Sequence, residues 1–182
     1  MQPKVLMILA HPDFEKSVAN RQIKNILEQQ NNPERSGQVI EIRHLNKLYP
    51  NHKIDVQAEQ AALRNADIII FQYPLFWYSV PSILKEWIDS VFTYGFAFGK
   101  GNYQLEGKKI IVSFTTGSSS KDYPDEVVEK IVFPFKGLAN FCKMNYITTV
   151  YSHEIANYSD DAKEKSVKNA EIHAKKLIDL LK

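Results

Sequence analysis

The stretch ADIIIFQYPLFWYSVPSILKEWIDSVFTYGFAFG, residues 66–99, decides the fold that this sequence predicts. Its apolar run, 67–72, has no polar alternation, which is typical of a strand covered on both faces of a parallel sheet. Beyond Pro81 the apolar residues recur at helical spacing, and a proline is well tolerated at the start of a helix. We therefore expect a central strand, a turn and an amphipathic helix.

The turn between them, YPLFWYSVP, lies at the carboxyl end of the strand, where open α/β sheets bind their ligands. The two prolines, Pro74 and Pro81, stiffen it. Its large side chains would suit a flat aromatic ligand; they are Leu75, Phe76, Trp77 and Tyr78. The alternative is that these side chains fill the core, as large apolar side chains usually do.

The rest of the chain repeats the alternation of strand and helix. Further strands are predicted at 4–9, 38–45, Lys109–Thr115 and 146–151. Further helices are predicted at 17–30, at Val56–Asn65, at Asp125–Phe141 and after the capping residue Ser159. Because Pro134 lies inside the third of these, we expect a break or kink near Phe133. This order predicts a single α/β domain over residues 1–182, a flavodoxin-like doubly wound parallel sheet of five strands in the order 2-1-3-4-5 with helices on both faces.

The loop after the first strand contains candidate anion ligands. It reads HPDFEKSVAN and has no glycine, so it is neither of the Gly-rich phosphate loops. Ser17 stands at the predicted helix cap, Asn20 lies one turn on, and His11 can donate from across the loop towards the positive end of the helix. The alternative is an ordinary capping serine and a histidine in a turn.

A third loop, TTGSSS, follows the fourth strand directly. Small residues at Thr115, Thr116, Gly117 and Ser118 let backbone N–H groups turn towards a ligand carbonyl or ring nitrogen, although such clusters are also common in plain surface turns. The three loops meet at one edge of the predicted sheet as an anion site, an aromatic wall and a nest of small residues. Flavin mononucleotide (FMN) has a phosphate, a flat ring and polar ring edges in that arrangement.

Composition narrows the class of partner. The 182 residues carry 23 basic and 21 acidic side chains without a charged block, so bulk electrostatics indicate neither nucleic acid nor a membrane surface. The single cysteine, Cys142, is expected to be buried and inert, and the absence of a membrane-spanning apolar run predicts a cytoplasmic protein. The scattered histidines, with no metal site implied, are expected to be solvated or locally hydrogen-bonded; they are His44, His52, His153 and His173.

Several segments resemble a known family. HPDFEKSVAN at 11–20, LYPNHKID at 48–55 and QYPLFWYSVPSILKEWIDSVF at 72–92, followed by GFAFG and TTG, are similar to the flavodoxin-fold NAD(P)H:quinone oxidoreductases, and most of all to the ancillary proteins of glutathione-regulated potassium efflux systems. The resemblance covers most of residues 4–120 in order. It implies a homodimeric flavin-dependent two-electron reductase that binds FMN, with FAD as the alternative.

The same resemblance assigns roles to individual residues. It implies that His11, Ser17 and Asn20 hold the flavin phosphate and ribityl chain, that Pro74, Leu75, Phe76 and Trp77 line the ring, and that Thr115, Thr116, Gly117 and Ser118 meet its pyrimidine end. Ser118 stands where a second glycine is usual. Candidates for the substrate pocket are Tyr78, Phe96, Phe98 and Tyr103, with ordinary packing as the alternative for the last three.

The implied reaction is a ping-pong transfer of hydride from NADPH or NADH through flavin N5 to a quinone. Backbone N–H groups at Gly117 and Ser118 would stabilise negative charge on the reduced ring. Longer members of the family carry a catalytic tyrosine and histidine after the third loop. Tyr123 fits the tyrosine as the catalytic residue, whereas 127–132 contains no histidine.

Other functions stay open at this point. As an interaction subunit, the protein would bind a cytoplasmic domain of a membrane potassium transporter, at the inner face of the membrane, and use its flavin for structure or redox sensing. A one-electron flavodoxin carrier is disfavoured by the lack of a Ser/Thr/Gly-rich phosphate loop. A metal-dependent phosphoacceptor is disfavoured because Asp13 is the only carboxylate at the first strand end.

Overall fold

The computed structural model describes residues 2–30, 39–99, 101 and 103–182. Its strands are β1 (Val5–Leu9), β2 (Ile40–His44), β3 (Ile68–Pro74), β4 (Lys109–Thr115) and β5 (Asn145–Ser152). Its α-helices are α1 (Ala19–Gln29), α2 (Leu45–Leu48), α3 (Val56–Asn65), α4 (Ser82–Val91), α5 (Asp125–Phe141) and α6 (Asp160–Leu180). Single 3-10 turns lie at Phe14–Lys16 and Ser120–Asp122.

The strands form one parallel sheet in the predicted order, β2-β1-β3-β4-β5. Because successive strand side chains point to opposite faces, the sheet supports two cores. One core lies under α1 and α6, and the other lies under α3, α4 and α5. Every residue of β1 and β3 is buried, as expected for central strands with helices on both faces.

The predicted boundaries of β4 and α3 agree with the structure, and those of the other strands differ by one or two residues where they can be compared. Gln38, the first residue of the predicted second strand, lies outside the described residues. The short helix α2 was not predicted. Its four residues are too few to show helical periodicity, and Leu45 was assigned to the preceding strand.

Two predictions about helices are wrong. α5 runs without a break although Pro134 lies inside it. Its apolar face is buried on both sides of the proline, and that burial outweighs the cost of about 3 kcal/mol for a proline in a helix interior. α1 begins at Ala19 rather than at Ser17, with Val18 in the cap position.

A buried carboxylate joins the helices of the second core. Glu59 of α3 is completely buried and accepts hydrogen bonds from the guanidinium of Arg43 (Nη2 to Oε1, 2.6 Å), the hydroxyl of Tyr49 and the indole N–H of Trp87 (2.9 Å). The hydrogen bonds from Arg43 to Glu59 raise the pKa of Arg43, against an opposing effect of burial. A buried charge is tolerated only with such partners, so this cluster fixes α3 against β2 and α4.

Cys142 follows the end of α5 and is buried, as predicted. Burial raises the pKa of its thiol to about 11. Because the thiolate is the reactive form of cysteine, this side chain reacts slowly at neutral pH.

Candidate functional site

The loops after β1, β3, β4 and β5 enclose a cleft of about 300 Å³ at the carboxyl edge of the sheet. Strand register brings Pro74, Thr115 and Ser152 level with one another, so the last three loops start side by side. Nine of the eleven predicted cofactor residues line the cleft: His11, Ser17, Asn20, Pro74, Leu75, Phe76, Thr115, Thr116 and Gly117. Trp77 and Ser118 lie outside the lining. The volume is in the range of small-molecule sites.

The surroundings of His11 favour a neutral ring that can donate a hydrogen bond. The backbone N–H of Asp13 donates to His11 Nδ1 (3.2 Å), so the neutral ring carries its hydrogen on Nε2. Burial and the neighbouring His44 lower the pKa of His11 to about 4, against a smaller opposing effect of Asp13. A donor of this kind beside the start of α1 suits an anionic group.

Ser17 and Asn20 connect the first loop to the third. Ser17 Oγ accepts a hydrogen bond from the backbone N–H of Asn20 (3.2 Å). Ser17 therefore caps the helix as predicted, although it lies one residue before the cap position. The side chain of Asn20 donates to Thr115 Oγ1 (3.0 Å). The start of α1 and the end of β4 are therefore held together by a buried hydrogen bond.

The aromatic turn is strained. Phe76 and Ser79 exchange two backbone hydrogen bonds (3.0 and 2.9 Å), and the two residues between them have positive φ, 49° at Trp77 and 62° at Tyr78. Positive φ at both central residues is the pattern of a type I′ turn, which normally takes Asn-Gly. Trp77 is 95% exposed, so the sequence-based alternative that it fills the core is wrong.

We expect the double replacement Trp77→Asn with Tyr78→Gly to raise the free energy of unfolding by about 1–2 kcal/mol, because it relieves left-handed strain at two residues. Urea denaturation followed by far-ultraviolet circular dichroism measures the change. The matched control is Trp77→Ala with Tyr78→Ala, which removes the same rings but keeps a Cβ at both strained positions. An equal gain in the control would contradict the strain argument.

Sequence reasoning missed a histidine beside Tyr123. His153, just after β5, stacks on the Tyr123 ring with centroids 5.6 Å apart at 16°. Its Nδ1 lies 3.0 Å from Thr116 Oγ1, and Tyr123 also contacts the ring of Tyr78 at 5.8 Å. Burial raises the pKa of Tyr123 and lowers that of His153, so at neutral pH the phenol is protonated and the imidazole is neutral.

The loop after β5 forms a wall of the cleft that the sequence did not reveal. Ile155, Ala156 and Asn157 line the cleft, and the backbone N–H of Ile155 donates to the carbonyl of Thr116 (3.0 Å). No motif marks this segment. The predicted topology was the available signal, because it places the end of every parallel strand at the same edge.

All four predicted pocket residues lie outside the cleft lining, and Tyr78 instead contacts the ring of Tyr123. Phe96 is buried beneath the guanidinium of Arg64, 5.2 Å from the ring centroid. Tyr103 packs under the Lys143 ammonium at 4.0 Å, and Phe98 contacts the ring of Phe141 at 5.0 Å. A role for Phe96, Phe98 and Tyr103 in a substrate pocket stays a prediction.

No group of three or more His, Cys, Asp or Glu side chains in the part of the chain that the structure describes is placed to hold a metal ion. None of the helices described here is long and apolar enough to cross a membrane.

A protein-family model described as having a flavodoxin-like fold matches residues 3–177. The chain belongs to this flavodoxin-like family. Within it, the chain is 33% identical over 184 residues to YrkL of Bacillus subtilis, named an uncharacterized NAD(P)H oxidoreductase, with 98% of each chain covered. It is 40% identical over 151 residues to KefG of Erwinia tasmaniensis, an ancillary protein of a glutathione-regulated potassium-efflux system, with 80% of this chain and 78% of KefG covered.

A solved structure extends the comparison within the flavodoxin-like family. General stress protein 14 from Treponema denticola, crystallised in complex with FMN, superposes with a TM-score of 0.84 at 30% identity, covering 99% of this chain and 100% of that chain. These similarities confirm the family resemblance inferred from the sequence, including the similarity to potassium-efflux ancillary proteins.

Proposed function

We propose that this protein is an FMN-dependent NAD(P)H:quinone oxidoreductase. The observation that carries the proposal is the convergence of nine predicted cofactor residues on one cleft at the carboxyl edge of the sheet. The FMN complex of general stress protein 14 and the NAD(P)H oxidoreductase name of YrkL support the choice of cofactor and electron donor.

The side chains around the cleft fit the three parts of FMN. His11, Ser17 and the start of α1 offer neutral donors for a phosphate. Pro74, Leu75 and Phe76 offer apolar surface for the flat ring, and the loop at Thr116 and Gly117 offers backbone N–H groups for its polar edge. When bound, FMN would supply the hydride-transfer chemistry between NAD(P)H and a quinone.

Reduction of a quinone to a hydroquinone by NAD(P)H consumes one proton from the surroundings in addition to the hydride. We assign this proton to the hydroxyl of Tyr123, which lies outside the cleft lining and stays protonated because burial raises its pKa. His153 stacks on the same ring and shares a hydrogen bond with Thr116, so it would fix the orientation of Tyr123. We assign the catalytic role to Tyr123 and a positioning role to His153.

The proposal is tested by anaerobic visible spectroscopy of the protein after reconstitution with FMN. We expect the flavin absorption to bleach when NADPH or NADH is added and to recover when a simple quinone follows. Loss of all flavin on gel filtration would contradict the assignment of the cleft. Bound flavin that neither nucleotide reduces would contradict the enzymatic role.

For Tyr123→Phe we expect oxidation of the reduced protein by quinone to slow about 10- to 100-fold, because proton donation by a side chain typically contributes that much or more. Reduction by NADPH needs no proton from Tyr123 and is expected to change less than threefold. Stopped-flow absorbance separates the two half-reactions. Tyr146→Phe is the control, because this half-buried tyrosine lies at the opposite end of the sheet.

A homodimer is part of the proposal. Tyr94, Phe98 and Phe141 form a ring cluster with centroids 5.9 and 5.0 Å apart, and Tyr94 and Phe141 are more than 60% exposed. Exposed aromatic clusters of this kind usually mark an interface. We expect sedimentation velocity to give twice the chain mass of 21.0 kDa, and Phe141→Glu to give monomers. Tyr158→Glu, at an exposed tyrosine outside the cluster, should stay dimeric.

The similarity to KefG favours a second candidate, a regulatory subunit of a potassium-efflux transporter held at the inner face of the membrane by its partner. The two functions differ in what the isolated protein does. Sustained NAD(P)H:quinone turnover by purified protein supports the enzyme. FMN binding without turnover, and turnover restored by the cytoplasmic domain of such a transporter, supports the regulatory subunit.

A further inference from the structure

A chain of buried side-chain hydrogen bonds runs from the cleft through the sheet to α6. It passes from Thr115 to Asn20 (3.0 Å), to Gln72 (2.8 Å), to Ser113 (2.6 Å), to His173 (2.7 Å) and to Ser152 (2.9 Å). The first five of these side chains are each at most 3% exposed. Water therefore has little access to these side chains, and each of them depends on its neighbours for hydrogen bonds.

Every hydrogen bond in this series has its donor on the side of Ser152 and its acceptor on the side of Thr115. The Asn20 amide donates to Thr115 Oγ1, and the Gln72 amide donates to Asn20 Oδ1. The carbonyl oxygen of Gln72 is then left to accept from the hydroxyl of Ser113. The two amides thus set the same order of donor and acceptor along the first half of the chain.

The order continues through the histidine. A serine hydroxyl has a single hydrogen, so Ser113, which donates to Gln72, must accept from His173 Nε2–H. The other ring nitrogen, Nδ1, then accepts from the hydroxyl of Ser152. The geometry therefore requires a neutral His173 with its hydrogen on Nε2.

The other end of the chain is Thr115 in the cleft. Its oxygen accepts from Asn20, and its hydroxyl hydrogen has no acceptor among the residues that the structure describes. We infer that Gln72, Ser113 and His173 are positioning residues that fix the direction of this chain, so that Thr115 presents a hydroxyl donor to a ring carbonyl or unprotonated ring nitrogen of the bound ligand. With the chain reversed, Thr115 would donate to Asn20 and offer the ligand only an acceptor.

The identity of the ligand in this inference rests on the proposed function. The direction of the hydrogen-bond chain does not depend on it. Burial lowers the pKa of His173 to about 3, with Lys176 on the same helix acting in the same direction. The ring therefore stays neutral near pH 7, and the order of donors is kept across the physiological range.

The first test is nitrogen-15 NMR of histidine-labelled protein without FMN, with the His173 signal assigned by its absence in His173→Gln. We expect the pure Nε2–H tautomer for His173. The Nδ1–H tautomer, or an even mixture of the two, would overturn the inference. Because this readout needs no cofactor, it stands even if the protein does not bind FMN and the proposed function fails.

The second test measures FMN affinity by quenching of flavin fluorescence. Removal of the ring in His173→Leu frees Ser113 to reverse, and we expect FMN to bind about tenfold more weakly, the value of about one hydrogen bond. His173→Gln, whose amide can donate from the Nε2 position, is expected to restore affinity to within threefold. Affinity in His173→Leu equal to that of the unmodified protein would contradict the inference.

A control separates positioning from stability. Leu177 is completely buried on the same helix and takes no part in the chain. Leu177→Ala is expected to lower stability while leaving FMN affinity unchanged. If Leu177→Ala weakens FMN as much as His173→Leu, the effect belongs to α6 as a whole and the inference is wrong. Ser113→Ala interrupts the same chain with a smaller change in volume and should reproduce the loss seen with His173→Leu.

Discussion

Replacement of Glu59 by alanine is expected to lower the free energy of unfolding by about 3–5 kcal/mol, because it leaves a partly buried cation without its buried partner. The Arg43 side chain is only 19% exposed and hydrogen-bonds Glu59 through Nε and Nη2. The indole N–H of Trp87, in a ring that is completely buried, loses its acceptor in the same variant. Each unsatisfied buried donor adds about 1–3 kcal/mol to the cost.

Urea denaturation of Glu59→Ala and Glu41→Ala is the measurement. Glu41 contacts the same Arg43 at 3.1 Å, but its side chain is 50% exposed. An exposed ion pair contributes at most about 1 kcal/mol, so Glu41→Ala should stay close to the unmodified protein. Equal losses in the two variants would show that burial of Glu59 does not set the strength of this cluster.

Acidification is expected to destabilise the protein by about 3 kcal/mol between pH 6.5 and pH 4 through His173 alone. Its pKa is about 3 in the folded state, against an ordinary value of 6.5 for the unfolded chain. Below pH 6.5 the unfolded state therefore binds a proton that the folded state does not, so the free energy of unfolding falls as the pH falls. His11, whose pKa is lowered to about 4, acts in the same direction.

Chemical denaturation at a series of pH values tests this expectation. His173→Gln removes one titrating ring and should reduce the slope over that window, leaving the part that is due to His11, although its stability at pH 7 is lower. Leu177→Ala removes buried apolar volume from the same helix and should lower stability at every pH without changing the slope. A slope in His173→Gln as steep as that of the unmodified protein would assign the acid sensitivity to other groups.

The framework of the fold could be predicted from the sequence because its central elements carry strong local signals. β3 is an uninterrupted apolar run, and α3 begins after Asp55, whose side chain accepts from the backbone N–H of Ala58 (3.0 Å). Pro134 misled the prediction because its cost is local, whereas the burial that outweighs it depends on the sheet beneath α5.

The parts of the site that escaped prediction depend on contacts between residues distant in sequence. His153 meets Tyr123 across 30 residues, and the hydrogen-bond chain joins side chains from five strands and helices. Gln72 offered a usable clue, because a lone amide within the apolar run of β3 needs buried partners. The three predicted cofactor loops were recognisable because each occupies one short continuous segment.

If the substrates are quinones, the burial of Cys142 protects its thiol from reaction with them. Quinones are electrophiles that arylate thiolates, and a protein that handles them throughout its lifetime risks modification by its own substrate. The one thiol of this chain is 2% exposed, and the pKa of about 11 keeps it almost wholly in the unreactive form. In that case the protein would work among arylating molecules while its thiol stays unmodified.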